Sequence, residues 1–281
     1  MPNTVDSGFI LRKTPYSESS FILKAYTREH GLLSFMAKGA KRQNSRLHGL
    51  LEPGLHLQFL FPVHARGELR ILSDVTLLRD HPSVRGDLVK HALAQAFGEV
   101  LLKYLPDEAR APDFHDALAR ALQRLEASPP ERRAVEACFA AWLLDFCRAS
   151  GFQPQFRFCV RCDARVEGAT VAFALDRGGP VCARCGDAHA ARAARHDEGG
   201  IVRLRAAAWR WLVFLDEGAP GVLPPAATDG AADADAGAEI PALHWSDARQ
   251  AEDFLLQYVG SHAGGEKRLK AVSVWRSLMD A

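Results

Sequence analysis

The chain has 281 residues and a mass of 30.8 kDa; 48% of its residues are hydrophobic, 25% are charged, and the formal net charge is +1. These values are typical of a folded globular protein and exclude a disordered or fibrous one. No run of about 18 apolar residues is present, so the sequence predicts no membrane-spanning helix. The segment from Met1 to Gly8 has neither the basic nor the apolar part of a secretion signal. We therefore expect a cytoplasmic, reducing location, where clustered cysteines indicate a metal site rather than disulfides.

The small net charge hides an uneven distribution along the chain. Residues 1–80 carry 11 lysines and arginines against 7 acids, and no acid lies between Glu29 and Glu52. Residues 216–241 carry six acids and no lysine or arginine, on a background of Ala, Gly and Pro. Such a stretch has too little apolar surface to offset the entropy lost on ordering, so we predict a flexible acidic insertion at 216–241.

Residues 1–80 carry the alternating hydrophobic pattern of half-buried strands. Turn residues separate five segments with this pattern, which are Gly8–Lys13, Phe21–Ala25, Leu33–Ala37, His56–Phe61 and Glu68–Val75. A short sheet of this kind leaves two open edges unless it closes, so we expect a small barrel. An oligonucleotide-binding (OB) barrel fits the number of strands, and an SH3-like barrel fits the pattern nearly as well.

Beyond Pro82 the hydrophobic spacing becomes helical. The predicted helices run from Val84 to Tyr104 with Ser83 as the cap, from Phe114 to Leu125, from Val135 to Cys147, from Leu204 to Leu215 and from Ala251 to Val259. The fold class is therefore α+β. We predict an OB barrel at residues 1–80, a helical domain formed by 81–155 and 197–281, and a cysteine module inserted at 156–196.

The inserted module contains two C-x2-C pairs, Cys159 with Cys162 and Cys182 with Cys185, separated by 19 residues. This is the spacing of a zinc ribbon, in which each pair forms a tight turn that presents two thiolates to one ion. Four sulfur ligands leave no position for water or substrate, so we predict structural Zn²⁺. The remaining cysteines, Cys138 and Cys147, are nine residues apart on a predicted helix and are expected in the core.

The sequence lacks the common catalytic motifs. It has no phosphate-binding loop, no dinucleotide-binding glycine pattern, no nucleophile elbow and no H-E-x-x-H zinc motif. This favours a binding protein over an enzyme.

A basic segment follows the third predicted strand and suggests a binding surface for phosphates. It contains Lys38, Lys41, Arg42 and Arg46 within nine residues. Phosphates attract such a segment whatever the base sequence, because each contact releases counterions. The cations predicted to extend the same face are Arg12, Lys13, Arg66 and Arg70. The alternative is a loop that is basic only for solubility.

Several segments of the chain carry a family resemblance. They are Leu11–Ser20, Tyr26–Gly31, Ala37–Arg42, Leu50–Pro53 and Arg66–Leu69. These segments closely resemble the RecO family of DNA-repair recombination mediators, and the resemblance continues in order through the helices and the four-cysteine module. It implies an OB domain, a helical domain and, as in some members of the family, a zinc module.

The resemblance also implies the activity and the partners. Proteins of this family bind single- and double-stranded DNA, anneal complementary strands, engage RecR and bind the acidic tail of single-stranded DNA-binding protein (SSB). Together these activities help to load RecA onto SSB-coated DNA. The resemblance therefore implies a nucleoid-associated protein in the cytoplasm, with Arg132 and Arg133 in the region that binds the SSB tail.

A second hypothesis is a zinc-ribbon scaffold for protein interactions whose barrel does not bind DNA directly. A third is an enzyme that modifies nucleic acid, which would lose turnover on chelation. Salt-dependent binding of a short oligonucleotide separates the first two hypotheses, because only a DNA-binding barrel loses counterion release when its cations are removed.

Overall fold

The computed structural model describes residues 3–47, 49–63, 68–105, 112–186, 200–218 and 243–281. The chain forms two compact units, one of Met1–Ala127 with Lys267–Ala281 and one of Ser128–Glu266. Most of the predicted acidic insertion, residues 219–241, and the end of the predicted cysteine module, residues 187–196, lie outside the described residues. Among the described helices, none has the length and apolar character needed to cross a membrane.

The first unit begins with six strands that form one sheet. They are β1 (Asn3–Pro15), β2 (Phe21–Thr27), β3 (Gly31–Ala37), β4 (His56–Pro62), β5 (Leu69–Ile71) and β6 (Asp74–Arg79). Strand β1 lies antiparallel to both β2 and β4. Strand β3 lies antiparallel to β2 and parallel to β5, and β6 lies antiparallel to β4.

The sheet closes where β5 passes into β6. The Leu72 N–H donates to the Met36 carbonyl of β3 at 3.0 Å, and the next N–H, of Ser73, donates to the Leu60 carbonyl of β4 at 2.9 Å. The fifth predicted strand, Glu68–Val75, is therefore two short strands, because the chain crosses from one side of the barrel to the other at these two residues. This closure, with the parallel pairing of β3 and β5, confirms the predicted OB-type barrel.

The alternating residues of the strands fill the barrel. Phe35, Phe59 and Phe61 are fully buried, and the rings of Phe35 and Phe59 stack at 5.4 Å between centroids. These three rings thus form the centre of the barrel core.

The helices of the first unit are α1 (Pro82–Gly86), α2 (Leu88–Tyr104), α3 (Pro112–Ala127) and the C-terminal α7 (Lys270–Met279). The prediction of one helix capped by Ser83 is wrong, because the extended backbone of Asp87 separates two helices. The Asp87 carboxylate accepts from the N–H groups of Val89 and Lys90 and caps α2. The Ser83 hydroxyl instead accepts from the Lys90 ammonium at 2.7 Å.

The second unit combines helices with a small sheet. Its helices are α4 (Arg132–Ala149), α5 (Ala206–Glu217) and α6 (Trp245–His262), and its antiparallel strands are β7 (Thr170–Ala174), β8 (Gly179–Val181) and β9 (Ile201–Arg205). Leu204, predicted at the start of a helix, lies in β9. The predicted end of α4 at Gly151 agrees with its φ of 79°, a left-handed conformation that glycine adopts without strain.

Candidate metal centre and nucleic-acid interface

Two matching turns present the four predicted cysteine ligands. In the first turn the Asp163 N–H donates to the Cys159 carbonyl at 2.9 Å, and in the second the Gly186 N–H donates to the Cys182 carbonyl at 2.8 Å. The Val160 N–H donates to the Pro180 carbonyl of β8 at 2.9 Å, which joins the first turn to the strand that leads into the second. The small sheet of the second unit therefore sets the distance between the two turns.

The first turn contains a strained backbone position. Asp163 has a φ of 59°, the only positive value at a non-glycine position among the described residues. Such a conformation costs about 1 kcal/mol or more outside glycine and persists only where the surroundings impose it. Here it lets the Cys159 N–H reach the Ala164 carbonyl at 2.8 Å, which closes the turn around both thiols.

The four thiols are close enough to share one ion. All four sulfur atoms lie within 4.8 Å of one another, and the Sγ atoms of Cys162 and Cys182 are 3.6 Å apart. A tetrahedral ion with metal–sulfur bonds of about 2.3 Å requires about 3.8 Å between its sulfur ligands. The cysteines thus fit a four-coordinate metal ion. Cys138 and Cys147 lie buried in α4, as the spacing predicted.

The surroundings lower the pKa of two of the thiols, Cys159 and Cys162. The backbone N–H of Ala164 is the main group that lowers the pKa of Cys162, to about 6. A hydrogen bond to the Cys162 sulfur raises the pKa of Cys185 to about 12, because it favours the protonated thiol of Cys185. A metal ion binds such a cluster only as the remaining protons leave.

The structure divides the predicted DNA-binding cations into anchored and free ones. Lys13 forms an ion pair with Glu52, and its ammonium lies 5.2 Å from the centre of the Phe21 ring. The Lys41 ammonium lies 5.1 Å from the same ring and donates to the Ser17 carbonyl. These two lysines therefore fix the basic segment to the end of the barrel.

The other three cations of the basic segment are exposed. Lys38, Arg42 and Arg46 project into solvent, and within the described part of the chain their side chains form no ion pair or hydrogen bond. They are available to an external anion.

A further cation, Lys24, was not among the DNA-binding residues predicted from the sequence. It lies directly opposite Arg12 in the pairing of β1 with β2, so both side chains leave the same face of the sheet. The same row continues to Ser34 on β3 and Leu69 on β5. A bulge between Ile10 and Arg12 changes which residues face outwards, and this change has no clear signal in the sequence.

The outer face of β2 and β3 is cationic and aliphatic. Next to the row of Arg12 and Lys24 runs a second row, which consists of Thr14, Ile22, Met36 and Ile71. The face over strands 2 and 3 is the usual ligand surface of an OB barrel. Neither row contains an aromatic side chain on which a base could stack.

Arg70 of β5 is held against the end of β4. Its guanidinium lies 5.6 Å from the centre of the Phe61 ring and donates to the Val63 carbonyl at 3.1 Å. Arg66 lies outside the described residues.

The two arginines predicted for SSB-tail binding differ in their surroundings. Arg132 donates from Nε to the Glu136 carboxylate at 3.0 Å, and its guanidinium lies 5.5 Å from the centre of the Trp245 ring. Glu136 is only 1% exposed, so its charge depends on neighbours such as Arg132. Arg133 is exposed on the first turn of α4.

Comparison with known proteins gives two family matches. Residues 1–80 match the family model described as Recombination protein O N terminal, and residues 85–207 match Recombination protein O C terminal. A DNA repair protein RecO from Anaeromyxobacter sp. (strain K) is 31% identical over 179 residues, which cover 64% of this chain and 69% of that protein. A protein of the same name from Desulfatibacillum aliphaticivorans is 29% identical over 191 residues, which cover 66% and 72%.

Proposed function

Because the chain belongs to the RecO family of DNA repair proteins, we propose that it works in recombination by binding DNA strands on the cationic outside of its barrel. The observation that carries this proposal is the row of Arg12 and Lys24 beside the exposed cations Lys38, Arg42 and Arg46. None of these five side chains is neutralised by an acid within the described residues.

The surface suits contact with the sugar–phosphate backbone rather than with bases. Its cations attract phosphates of any sequence, and the two outward rows of the sheet carry no aromatic ring on which a base could stack. A strand held by its backbone keeps its bases free to pair. Neutralised phosphates also repel a second strand less strongly. Together these two effects support the annealing of complementary single strands without covalent chemistry, and the same contacts extend to double-stranded DNA.

We propose that the metal site takes Zn²⁺ in a structural role. Cys159, Cys162, Cys182 and Cys185 would be its ligands, and four thiolates leave no position open for a substrate. The bound ion supplies a rigid link between the two cysteine turns. Both turns adjoin β8, so this link also holds β8 in place within the small sheet of the second unit.

The proposed partners are RecR, the acidic C-terminal tail of SSB and, indirectly, RecA. For the SSB tail, Arg133 is the better placed of the two predicted arginines because it is exposed. Arg132 serves as a positioning residue through Glu136 and Trp245. With these partners, we propose a nucleoid-associated location in the cytoplasm.

The proposal is tested by annealing of complementary oligonucleotides, bare and coated with SSB. The variant replaces Lys38, Arg42 and Arg46 by Ala and leaves the anchored Lys41 in place. A matched control removes the same charge from the second unit by replacing the exposed Arg177, Arg203 and Arg210. We expect slow annealing only for the first variant.

The scaffold hypothesis makes the opposite prediction. If the wild-type protein binds no oligonucleotide, or if both triple variants anneal as well as the wild type, the barrel does not act on DNA through these cations.

A further inference from the structure

A second feature of the first unit lies beside the proposed DNA surface. Strand β1 and helices α2 and α7 enclose a groove of about 310 Å³. Its walls are partly aliphatic, from Leu11, Leu102 and the 56% exposed Val274, and Arg12 and Lys270 lie at its edge. None of the proposed roles of the barrel uses this groove.

The groove exists because α2 approaches β1 closely. Gly98 of α2 lies against Leu11, and a Cβ atom at Gly98 would be 3.3 Å from the Leu11 Cα. The bulge of β1 at this point turns Arg12 towards the outer face. Helix α7 then packs along α2 and forms the other wall of the groove.

Among the described residues, Glu99 is the one acid that lines the groove, and its carboxylate is already engaged. The two carboxylate oxygens of Glu99 accept from the N–H groups of Lys270 and Ala271, at 2.9 and 2.6 Å. Glu99 thus caps the start of α7 and interacts favourably with its dipole. Among the described residues no ion pair neutralises Arg12 or Lys270, so the groove presents two cations to solvent.

The groove is continuous with the cationic row of the barrel. Arg12 belongs to both, since it lies opposite Lys24 on one side and lines the groove on the other. Beyond Lys270 the cations continue with the exposed Arg268 and with Lys267, whose ammonium lies 5.4 Å from the centre of the Tyr104 ring.

We propose that a single strand of DNA leaves the barrel through this groove, with its phosphates near Arg12 and Lys270 and its sugars against the aliphatic walls. The inference rests on the proposed DNA binding and adds a direction to it, from β2 across β1 to the start of α7. An anionic polymer with regularly spaced charges matches a line of cations better than a compact ligand does. The aliphatic walls add contacts that do not depend on base sequence.

The direction of the strand makes the effect of Lys270 depend on oligonucleotide length. The barrel alone accommodates an oligonucleotide of about 8 nucleotides, whereas one of about 25 nucleotides also reaches the groove. In Lys270→Ala we expect about fivefold weaker binding of the long oligonucleotide near 0.1 M salt, and a salt slope lower by about 0.7, the contribution of one phosphate contact. Binding of the short oligonucleotide should not change. Arg79→Ala, at the end of β6, is the matched control and should bind both oligonucleotides as the wild type does.

A second variant keeps the proposal testable if Lys270→Ala weakens the helix. Val274→Glu adds a negative charge at the edge of the groove, and Ser277→Glu adds the same charge one turn further along α7, outside the groove. The first should weaken binding of the long oligonucleotide and the second should not. If the long and short oligonucleotides respond alike to Lys270→Ala and Val274→Glu, the path is wrong although the barrel binds DNA. If the wild type binds neither oligonucleotide, the proposed function fails as well.

Discussion

Arg12 and Lys24 lie directly opposite each other on antiparallel strands and project from the same face of the barrel. Like charges at such positions destabilise a sheet by about 0.2 to 1 kcal/mol. No acid among the described residues forms an ion pair with either side chain. A phosphate bound between them would offset this repulsion. The pair is therefore favourable on a surface that contacts DNA.

Replacing Lys24 by Gln should change stability and DNA affinity in opposite directions. Removing the repulsion raises the free energy of unfolding by a few tenths of a kcal/mol, while loss of a phosphate contact weakens binding of single-stranded DNA about fivefold near 0.1 M salt. Urea denaturation and fluorescence anisotropy measure the two effects. Arg79→Gln should change neither. A Lys24→Gln variant that binds DNA normally would remove this pair from the interface.

The four-cysteine centre predicts one zinc ion per chain. Cys162→Ser should abolish metal content and destabilise the second unit, because structural zinc sites contribute directly to folding. Metal analysis and thermal denaturation with and without a chelator measure this. Cys147→Ala is the control: it removes a thiol buried in α4 and should keep one zinc per chain. Zinc retained in Cys162→Ser would contradict the four-sulfur site.

Substitutions of Arg132 and of Arg133 should have different effects, the first on stability and the second on peptide binding. Arg132→Ala leaves the buried Glu136 carboxylate without one of its partners and should cost about 2 kcal/mol or more of stability. Arg133→Ala should leave stability within about 0.5 kcal/mol and weaken binding of an acidic peptide with the sequence of the SSB tail. Normal peptide binding by Arg133→Ala would show that the tail binds elsewhere.

His56 should make the first unit sensitive to acid. Burial lowers the pKa of His56 to about 4, with smaller effects from His115 and His81, and its ring stacks on Phe9 at 4.6 Å. An unfolded chain takes up a proton on this side chain near pH 6.5, whereas the folded chain does so only near pH 4. Stability should therefore fall as the pH decreases from about 6.5 to 4.

The replacement His56→Gln tests this assignment. Between these pH values, the free energy of unfolding of the variant should depend less on pH than that of the wild type. Above about pH 7.5, the difference between the two proteins should no longer depend on pH. An unchanged pH dependence would assign the acid sensitivity to other groups.

The regular parts of the fold followed from the sequence. Alternation in His56–Phe61 and the spacing in Val135–Cys147 depend only on which face is buried, and the structure has a strand and a helix there. The pairs Cys159–Cys162 and Cys182–Cys185 were equally direct, because the geometry of a metal site is encoded in short spacings.

The predictions that were wrong or incomplete concern features that depend on contacts between distant segments. Asp87 rather than Ser83 caps α2, and Leu204 belongs to a strand because it pairs with Val171. Lys24 was missed because the register of β1 shifts at a bulge. Lys41 was grouped with Arg42 by sequence, although only the structure brings it to the Phe21 ring.

The central claim is that exposed cations on the barrel bind sugar–phosphate chains, and the salt dependence of binding tests it most directly. The association constant for an oligonucleotide of about 25 nucleotides is measured from about 50 to 300 mM salt, for the wild type and for the variant with Lys38, Arg42 and Arg46 replaced by Ala. If all three cations contact phosphates, the slope of log K against log salt falls by about 2 in the variant, since each phosphate contact on a single strand contributes about 0.7. Equal slopes for the two proteins would contradict the account.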